Sequence, residues 1–179
     1  MRHKISFDLY RSMSIDNKSP KCNYFNFYFN DKFEGLYLLM EKINGGFLDL
    51  QKEDSMAVVF KDPRVFHRGD KGTPQDSLNP DQQNFPDLRI RDQSSQLDAF
   101  RDFMFNASDS LFSENIGDYI DLRQVIDWHL LLSLTNNGDG ILKNFYLYRQ
   151  SNESPFRIAI WDYDHSFGRD GDGTMNMME

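Results

Sequence analysis

Three oxygen-bearing side chains in the C-terminal part of the sequence have the types and spacing to hold a metal ion and a nucleotide. Asn144 follows Asp139 by five positions, and Asp162 belongs to a second segment, Trp161 to Gly168. Carboxylate and amide oxygens are the ligands that Mg²⁺ and similar hard cations accept. The two segments together predict a site where a metal ion bridges protein and phosphate oxygens.

The spacing of Asp139 and Asn144 is typical of a protein kinase catalytic loop, in which the Asp accepts the substrate hydroxyl proton and the Asn holds a metal ion. No other Asp and Asn in the sequence have this spacing. A structural alternative stays open, because Asn136-Asn-Gly-Asp-Gly140 is also a strong turn sequence.

Asp162 and Asp164 follow an apolar run and stand two positions apart. Two carboxylates so close together raise the free energy unless they are solvated or neutralised by a cation. We therefore predict Asp162 as a metal ligand and Asp164 as a further one. A calcium loop at Asp170–Gly173 is not predicted, because Met175 stands where an EF-hand needs its glycine.

The predicted metal ligands flank a predicted hairpin. Residues 145–149 and 156–161 are short runs of aromatic and β-branched residues, separated by a turn-like polar segment. Such a hairpin has Asn144 at its entrance and Asp162 at its exit, so the two ends are expected to meet.

Helical spacing of apolar residues predicts three helices. The first opens the chain, with Ile5, Leu9 and Met13 four positions apart, and the second begins near Ser95. The third begins with the capping pattern at Asp121 and ends at Asn136, just before Asp139. Its predicted buried stripe is Leu122, Val125, Ile126, Leu130 and Leu134, widened by Trp128 and Leu131.

The remaining pattern predicts strands and one long loop. Alternating residues 24–30 predict a half-buried strand, and the continuous apolar run 36–40 predicts a central strand that ends at Glu41. Residues 57–60 predict a strand ending at Lys61, a residue that could reach a phosphate or simply be solvated. The polar interval 64–96 predicts a long loop.

Composition excludes several classes of protein. The formal net charge of -8 argues against a general nucleic-acid binder, which needs clustered Lys and Arg. Cys22 is the single cysteine, so neither an intrachain disulfide nor a cysteine-based zinc site is possible. No apolar run approaches the roughly 20 residues that span a bilayer. The aromatic fraction of 15% indicates a folded, packed chain.

The order of these elements and motifs resembles the CotH kinase family, the spore-coat-type atypical protein kinases. The residues that carry the resemblance are Phe33–Ile43, Tyr119–Leu122, Asn137–Asp139, Asn144–Arg149 and Ile160–Gly168. It covers nearly the whole chain, and the last two motifs are the specific ones. It implies an α+β, atypical protein-kinase-like fold.

The resemblance also implies roles for individual residues. Asp139 takes the catalytic position, while Asn144 and Asp162 bind the Mg²⁺ or Mn²⁺ that bridges the ATP phosphates, with Asp164 in support. Glu41 falls at the hinge, where it would meet the adenine, and Lys61 is the candidate phosphate contact. The implied activity is transfer of phosphate from ATP to Ser or Thr hydroxyls of a protein, in a secreted, cell-surface or spore-coat setting.

The sequence departs from the family pattern in one respect. The strand Lys that pairs with the α and β phosphates, and the loop that covers them, lie before the first helix in a kinase, and neither is found there. The chain is therefore expected to be one partial domain, truncated at the N-lobe and at the C-terminal end, with an N-lobe remnant over 1–43 and a C-lobe core over 44–179. Two alternatives stay open: a non-catalytic coat or surface scaffold, and an acidic metal-dependent hydrolase.

Overall fold

The computed structural model describes residues 1–66 and 82–168, in which helices and antiparallel strands occur together. The helices of this part of the chain are α1 Arg2–Met13, α2 Ser94–Asn106, α3 Asp109–Tyr119, α4 Leu122–Thr135 and α5 Asp139–Leu142. The strands are β1 Cys22–Phe29, β2 Lys32–Met40, β3 Val58–Lys61, β4 Gln82–Phe85, β5 Phe145–Arg149 and β6 Arg157–Ile160. The predicted α+β class is confirmed; Asp170–Gly173 lies outside the described residues.

The core is built on a four-stranded antiparallel sheet with the order β4, β3, β5, β6. Successive residues of a strand point to opposite faces, and both faces of this sheet are covered. Phe60 and Leu147 pack with residues of α1, α2 and α4. Val59 and Tyr148 pack on the other face, against the segment 43–50. Burial on both faces explains why β3 and β5 are nearly continuous apolar runs.

The interval predicted as one long loop, residues 64–96, contains two regular elements in its described part. β4 pairs with β3, with Lys61 opposite Gln82, and α2 begins at Ser94. The polar sequence of β4 carries no strand signal, and the strand forms because the edge of β3 offers it a hydrogen-bonding partner. Residues 67–81 lie outside the described residues.

The predicted limits of α1 and α4 are confirmed. The Asp121 carboxylate accepts a hydrogen bond from the backbone N of Gln124 at 3.2 Å and so caps the N-terminus of α4. Asn136 ends this helix in the left-handed conformation, with φ of 48°. No residue of α3 is fully buried, so its sequence has no apolar stripe from which the helix could be predicted. No helix in residues 1–66 and 82–168 is both long and apolar enough to cross a membrane.

The predicted buried stripe of α4 is confirmed at Trp128 and Leu131 and is wrong at four other positions. Leu122, Ile126, Leu130 and Leu134 are 44%, 58%, 52% and 63% exposed. The buried face consists of Gln124, Trp128, Leu131, Leu132 and Thr135. Gln124 determines the orientation because its amide oxygen accepts from the backbone N of Ile158 at 2.6 Å and its nitrogen donates to the Asp16 carbonyl at 3.1 Å.

β1 and β2 form a separate two-stranded hairpin. Its turn is Asn30-Asp31, both with positive φ, as two-residue hairpin turns require. The predicted half-burial of β1 is wrong, because Phe25, Phe27 and Phe29 are 39%, 37% and 62% exposed. The run 36–40 is a strand as predicted, but it is not central, since no third strand in the described part of the chain pairs with it.

Candidate functional site

One end of the four-stranded sheet brings several predicted site residues together. β3 is antiparallel to β5, and β5 is antiparallel to β6, so the end of β3, the start of β5 and the end of β6 share one edge. The backbone N of Trp161 donates to the Asn144 carbonyl at 2.9 Å. The predicted meeting of the hairpin ends is confirmed, and Asn144 and Asp162 lie at the same edge as Lys61.

Asp62 organises this edge and was missed by sequence reasoning. Its Oδ1 accepts hydrogen bonds from the backbone N of Asn144 at 2.7 Å and of Phe145 at 3.3 Å. Its own backbone N donates to the Phe145 carbonyl at 2.9 Å. The Asp62-Pro63 pair signals the end of a strand, but nothing in the sequence indicates a partner so distant in the chain.

Four residues around this edge have a left-handed backbone. Asp62, Asn144, Asp162 and Phe167 have φ of 51°, 67°, 52° and 54°. Asp and Asn tolerate this region better than other residues with a side chain, whereas Phe167 is a rarer case. Phe167 is held there because its backbone N donates to the Thr135 carbonyl in the last turn of α4. Such backbone strain often accumulates at functional sites.

The segment after β6 alternates buried and accessible side chains. Tyr163 is fully buried, and this burial raises the pKa of its hydroxyl. The side chains of Asp162 and Asp164 on either side are 52% and 39% exposed. The buried tyrosine thus anchors the segment and leaves both carboxylates accessible to a ligand.

Asp139 lies at the start of α5, directly after the cap of α4. Its Oδ2 lies 3.1 Å from Lys143 Nζ and 3.0 Å from His165 Nδ1. His165 Nε2 lies 3.6 Å from Asp164 Oδ2, so this ring stands between two carboxylates. Asp139 is therefore linked to the segment that contains Asp162.

Close packing fixes the position of α5. Gly140 is buried, and a Cβ at this position would lie 2.3 Å from Leu132 Cδ2. The backbone N of Gly140 also donates to the side-chain oxygen of the buried Asn137 at 3.2 Å. A side chain at this position would therefore require Leu132 to move, whereas glycine lets α5 pack directly on α4.

α1 contacts the Asp162 segment through His3, a second residue that sequence reasoning missed. His3 Nε2 lies 3.7 Å from Asp162 Oδ1. Burial lowers the pKa of His3, while the nearby charges of Asp162 and Asp164 oppose that decrease. A histidine two positions from the chain start gives no sequence signal for this contact.

Two further contacts connect α1 to the same segment. The Phe7 ring packs on the Tyr163 ring with a centroid distance of 6.3 Å. Ser6 Oγ and Ser166 Oγ lie 3.4 Å apart and are both fully buried. α1 therefore packs against the buried residues of the segment that contains Asp162 and Asp164.

The structure does not bring Glu41 to this edge. Its carboxylate accepts from the backbone N of Lys21 at 2.8 Å. It lines a pocket of about 470 Å³ together with Arg11 and Lys18, and this pocket shares no lining residue with the site of Asp139 and Asp162. Its predicted contact with adenine stays a prediction.

The donor set suits a hard divalent cation. Asp162, Asp164 and Asn144 provide carboxylate and amide oxygens, the ligands of Mg²⁺ and Mn²⁺. Among residues 1–66 and 82–168, no three His, Cys, Asp or Glu side chains converge as a ready-made ligand set. Because both Asp side chains are accessible, phosphate oxygens could complete the coordination.

The fold and site define an α+β protein with an acidic, oxygen-rich edge suited to metal and phosphate chemistry. The chain belongs to the CotH family, described as CotH kinase protein, whose model matches residues 1–179. It is also similar to the inner spore coat protein H of Bacillus subtilis (strain 168), at 25% identity over 179 residues. The match covers 95% of this chain and 47% of that relative, so the chain spans about half the relative's length.

Proposed function

We propose that this chain carries a site for ATP- and metal-dependent phosphoryl transfer to protein hydroxyl groups. The main support is the hydrogen bond from Trp161 N to the Asn144 carbonyl, which holds Asn144 and Asp162 at one edge of the sheet. Membership of a family described as a kinase supports the same chemistry. The kinase-like architecture, in which α1 takes the place of the αC helix of protein kinases, is part of this proposal.

In this proposal the residues have separate roles. Asp139 orients the attacking hydroxyl and accepts its proton, and His165 holds that carboxylate through the 3.0 Å contact. Asn144 and Asp162 would hold the Mg²⁺ or Mn²⁺, with Asp164 beside them. When bound, the metal neutralises charge on the phosphates, so positioning and electrostatics provide most of the rate enhancement.

Asp162 provides the first test. We expect ATP with Mn²⁺ to raise the melting temperature of the wild-type chain by roughly 5–10 °C at saturating ligand. Asp162→Ala should abolish the increase, since it removes the central metal ligand. Asp87→Asn is the matched control, because Asp87 is bound to Arg89 in a turn outside the site. A full increase with Asp162→Ala would contradict the assignment.

Asp139 separates catalysis from binding. Asp139→Asn should retain the ATP-dependent increase in melting temperature but lose transfer of labelled phosphate to a Ser- or Thr-containing acceptor protein by 10²-fold or more, the contribution of a general base. Equal transfer by the variant and the wild type would refute a role for Asp139 as base.

A non-catalytic scaffold is the second candidate. The name of the Bacillus relative describes a spore coat protein, and the exposed aromatic residues of the β1–β2 hairpin offer an apolar surface for assembly. A folded wild-type chain whose melting temperature does not respond to ATP and Mn²⁺ would favour this function over phosphoryl transfer.

A further inference from the structure

A lysine of the catalytic segment itself contacts the proposed base. Lys143 Nζ lies 3.1 Å from Asp139 Oδ2, and the lysine side chain is 53% exposed. Lys143 directly precedes Asn144, the proposed metal ligand. We propose that Lys143 binds the γ-phosphate of ATP. This inference rests on the proposed function.

Distances place the lysine within reach of the transferred phosphate. A hydroxyl that gives its proton to Asp139 must lie about 2.6–3.2 Å from the carboxylate. The γ-phosphorus must lie about 3–3.5 Å from that hydroxyl in a reactive complex. The phosphate is thus roughly 6 Å from Asp139 Oδ2, and a lysine amine already 3.1 Å from that oxygen can reach it by changing rotamer.

The lysine can leave Asp139 without isolating that carboxylate. His165 Nδ1 contacts the same oxygen, Asp139 Oδ2, at 3.0 Å. An ion pair with a half-exposed lysine contributes little to stability, so its loss is easily offset by a phosphate contact. Asp139 therefore keeps a partner while Lys143 moves to the phosphate.

The charge of the site also favours such a cation beside the metal. Asp139 and Asp164 both contact His165, Asp162 stands two positions from Asp164, and the chain has a formal net charge of -8. A polyanionic nucleotide would be repelled unless cations balanced these carboxylates. Lys61 lies 4.0 Å from Asp62 Oδ2 with its side chain 33% exposed, so it is less accessible than Lys143.

The test compares ATP with ADP, because only ATP has a γ-phosphate. Dissociation constants for both nucleotides with Mn²⁺ would be measured by titration calorimetry on the wild type, Lys143→Gln and Lys143→Arg. We expect Lys143→Gln to weaken ATP binding about tenfold, the effect of losing one charge-assisted hydrogen bond. ADP binding should change less than about twofold, and Lys143→Arg should retain most of the preference for ATP.

Lys32→Gln is the matched control, since it removes an equal charge from a lysine that is 78% exposed at the hairpin turn. It should leave both dissociation constants unchanged. If the Lys143→Gln variant keeps its affinity for ATP, or loses affinity for ATP and ADP equally, the role of Lys143 is overturned but the proposed function still stands. A wild type that binds neither nucleotide overturns both.

Discussion

Two aromatic-rich antiparallel regions of this chain differ sharply in burial. In β1 seven of the eight residues are exposed, although five of them are Phe or Tyr. In β5, of similar aromatic content, Phe145, Leu147 and Tyr148 are completely buried. The difference arises from what covers each sheet, because β5 lies between two paired strands and is packed on both faces. Aromatic content alone therefore does not indicate where the core lies.

The same contrast separates the parts of the molecule that support the site from those that do not. Asp62 follows the end of β3, Asn144 precedes the start of β5 and Asp162 follows the end of β6. The packed interiors of these strands keep the three residues in place. A two-stranded hairpin is marginally stable by itself in water. We therefore expect the hairpin to open locally at a lower free energy than the four-stranded sheet.

The largest expected effect contrasts one phenylalanine from each region. Phe145→Ala should lower the free energy of unfolding by about 3–5 kcal/mol, because Phe145 is fully buried against Trp128 and Phe66. Phe29→Ala should cost less than about 1 kcal/mol, since Phe29 is 62% exposed. Urea denaturation of both variants measures the difference, and equal losses would remove the distinction between the two regions.

A smaller effect contrasts two aspartates whose backbone lies in the left-handed region. Asp62→Ala leaves the backbone N–H groups of Asn144 and Phe145 without their acceptor and strains the alanine backbone, so we expect a loss of about 3 kcal/mol. Asp31→Ala, in the hairpin turn at φ of 62°, should lose about 1 kcal/mol from strain. Urea denaturation midpoints of the two variants measure these losses of stability. A greater loss of stability for Asp31→Ala than for Asp62→Ala would contradict the role of the Asp62 carboxylate.

The smallest effect concerns the alkaline stability of the buried sheet. Burial raises the pKa of Tyr148 to about 12, from about 10 in an unfolded chain. The neutral hydroxyl is favoured in the folded state. Its contribution to the free energy of unfolding is therefore complete below pH 10 and is lost as the pH rises towards 12. From pH 9 to 11 the wild type should lose about 1 kcal/mol more than Tyr148→Phe.

A matched measurement at pH 7 controls for packing. Within residues 1–66 and 82–168, no group forms a hydrogen bond of good geometry with the Tyr148 hydroxyl, although the Gln124 side chain lies nearby. Removing this hydroxyl should therefore change the free energy of unfolding at pH 7 by less than about 1 kcal/mol. Parallel pH profiles for the variant and the wild type would show that Tyr148 ionisation is not coupled to unfolding.

The sequence predicts most elements but not the faces that they bury. The Asp121 cap and the Asn136 terminus follow from local hydrogen-bonding chemistry, which does not depend on the rest of the chain. The buried face of α4 was predicted only in part, at Trp128 and Leu131, because leucines lie on both sides of this helix. Gln124 decides between the sides through its bonds to Ile158 and Asp16, and a polar residue gives no hydrophobic signal.

The candidate site shows the same limit. Adjacent motifs predicted that the ends of the hairpin next to Asn144 and Asp162 would meet, because a hairpin is a local structure. Asp62 and His3 were missed because their contacts with Asn144 and Asp162 join distant parts of the chain. Lys143 and His165 could have been suspected from their proximity to Asp139 and Asp164, but only the structure joins them through one carboxylate oxygen.

The hydrogen bond between Asp62 and Asn144 has a consequence for the order of folding. These residues are 82 positions apart, and the buried pair Ser6 and Ser166 is separated by 160. Closing such long loops costs chain entropy before any contact offsets it, and proteins rich in distant contacts fold slowly. We expect the helices to form early and this edge of the sheet to form late. If the proposed nucleotide binding is found, it would report that folding is complete, since no partly folded chain would contain the site.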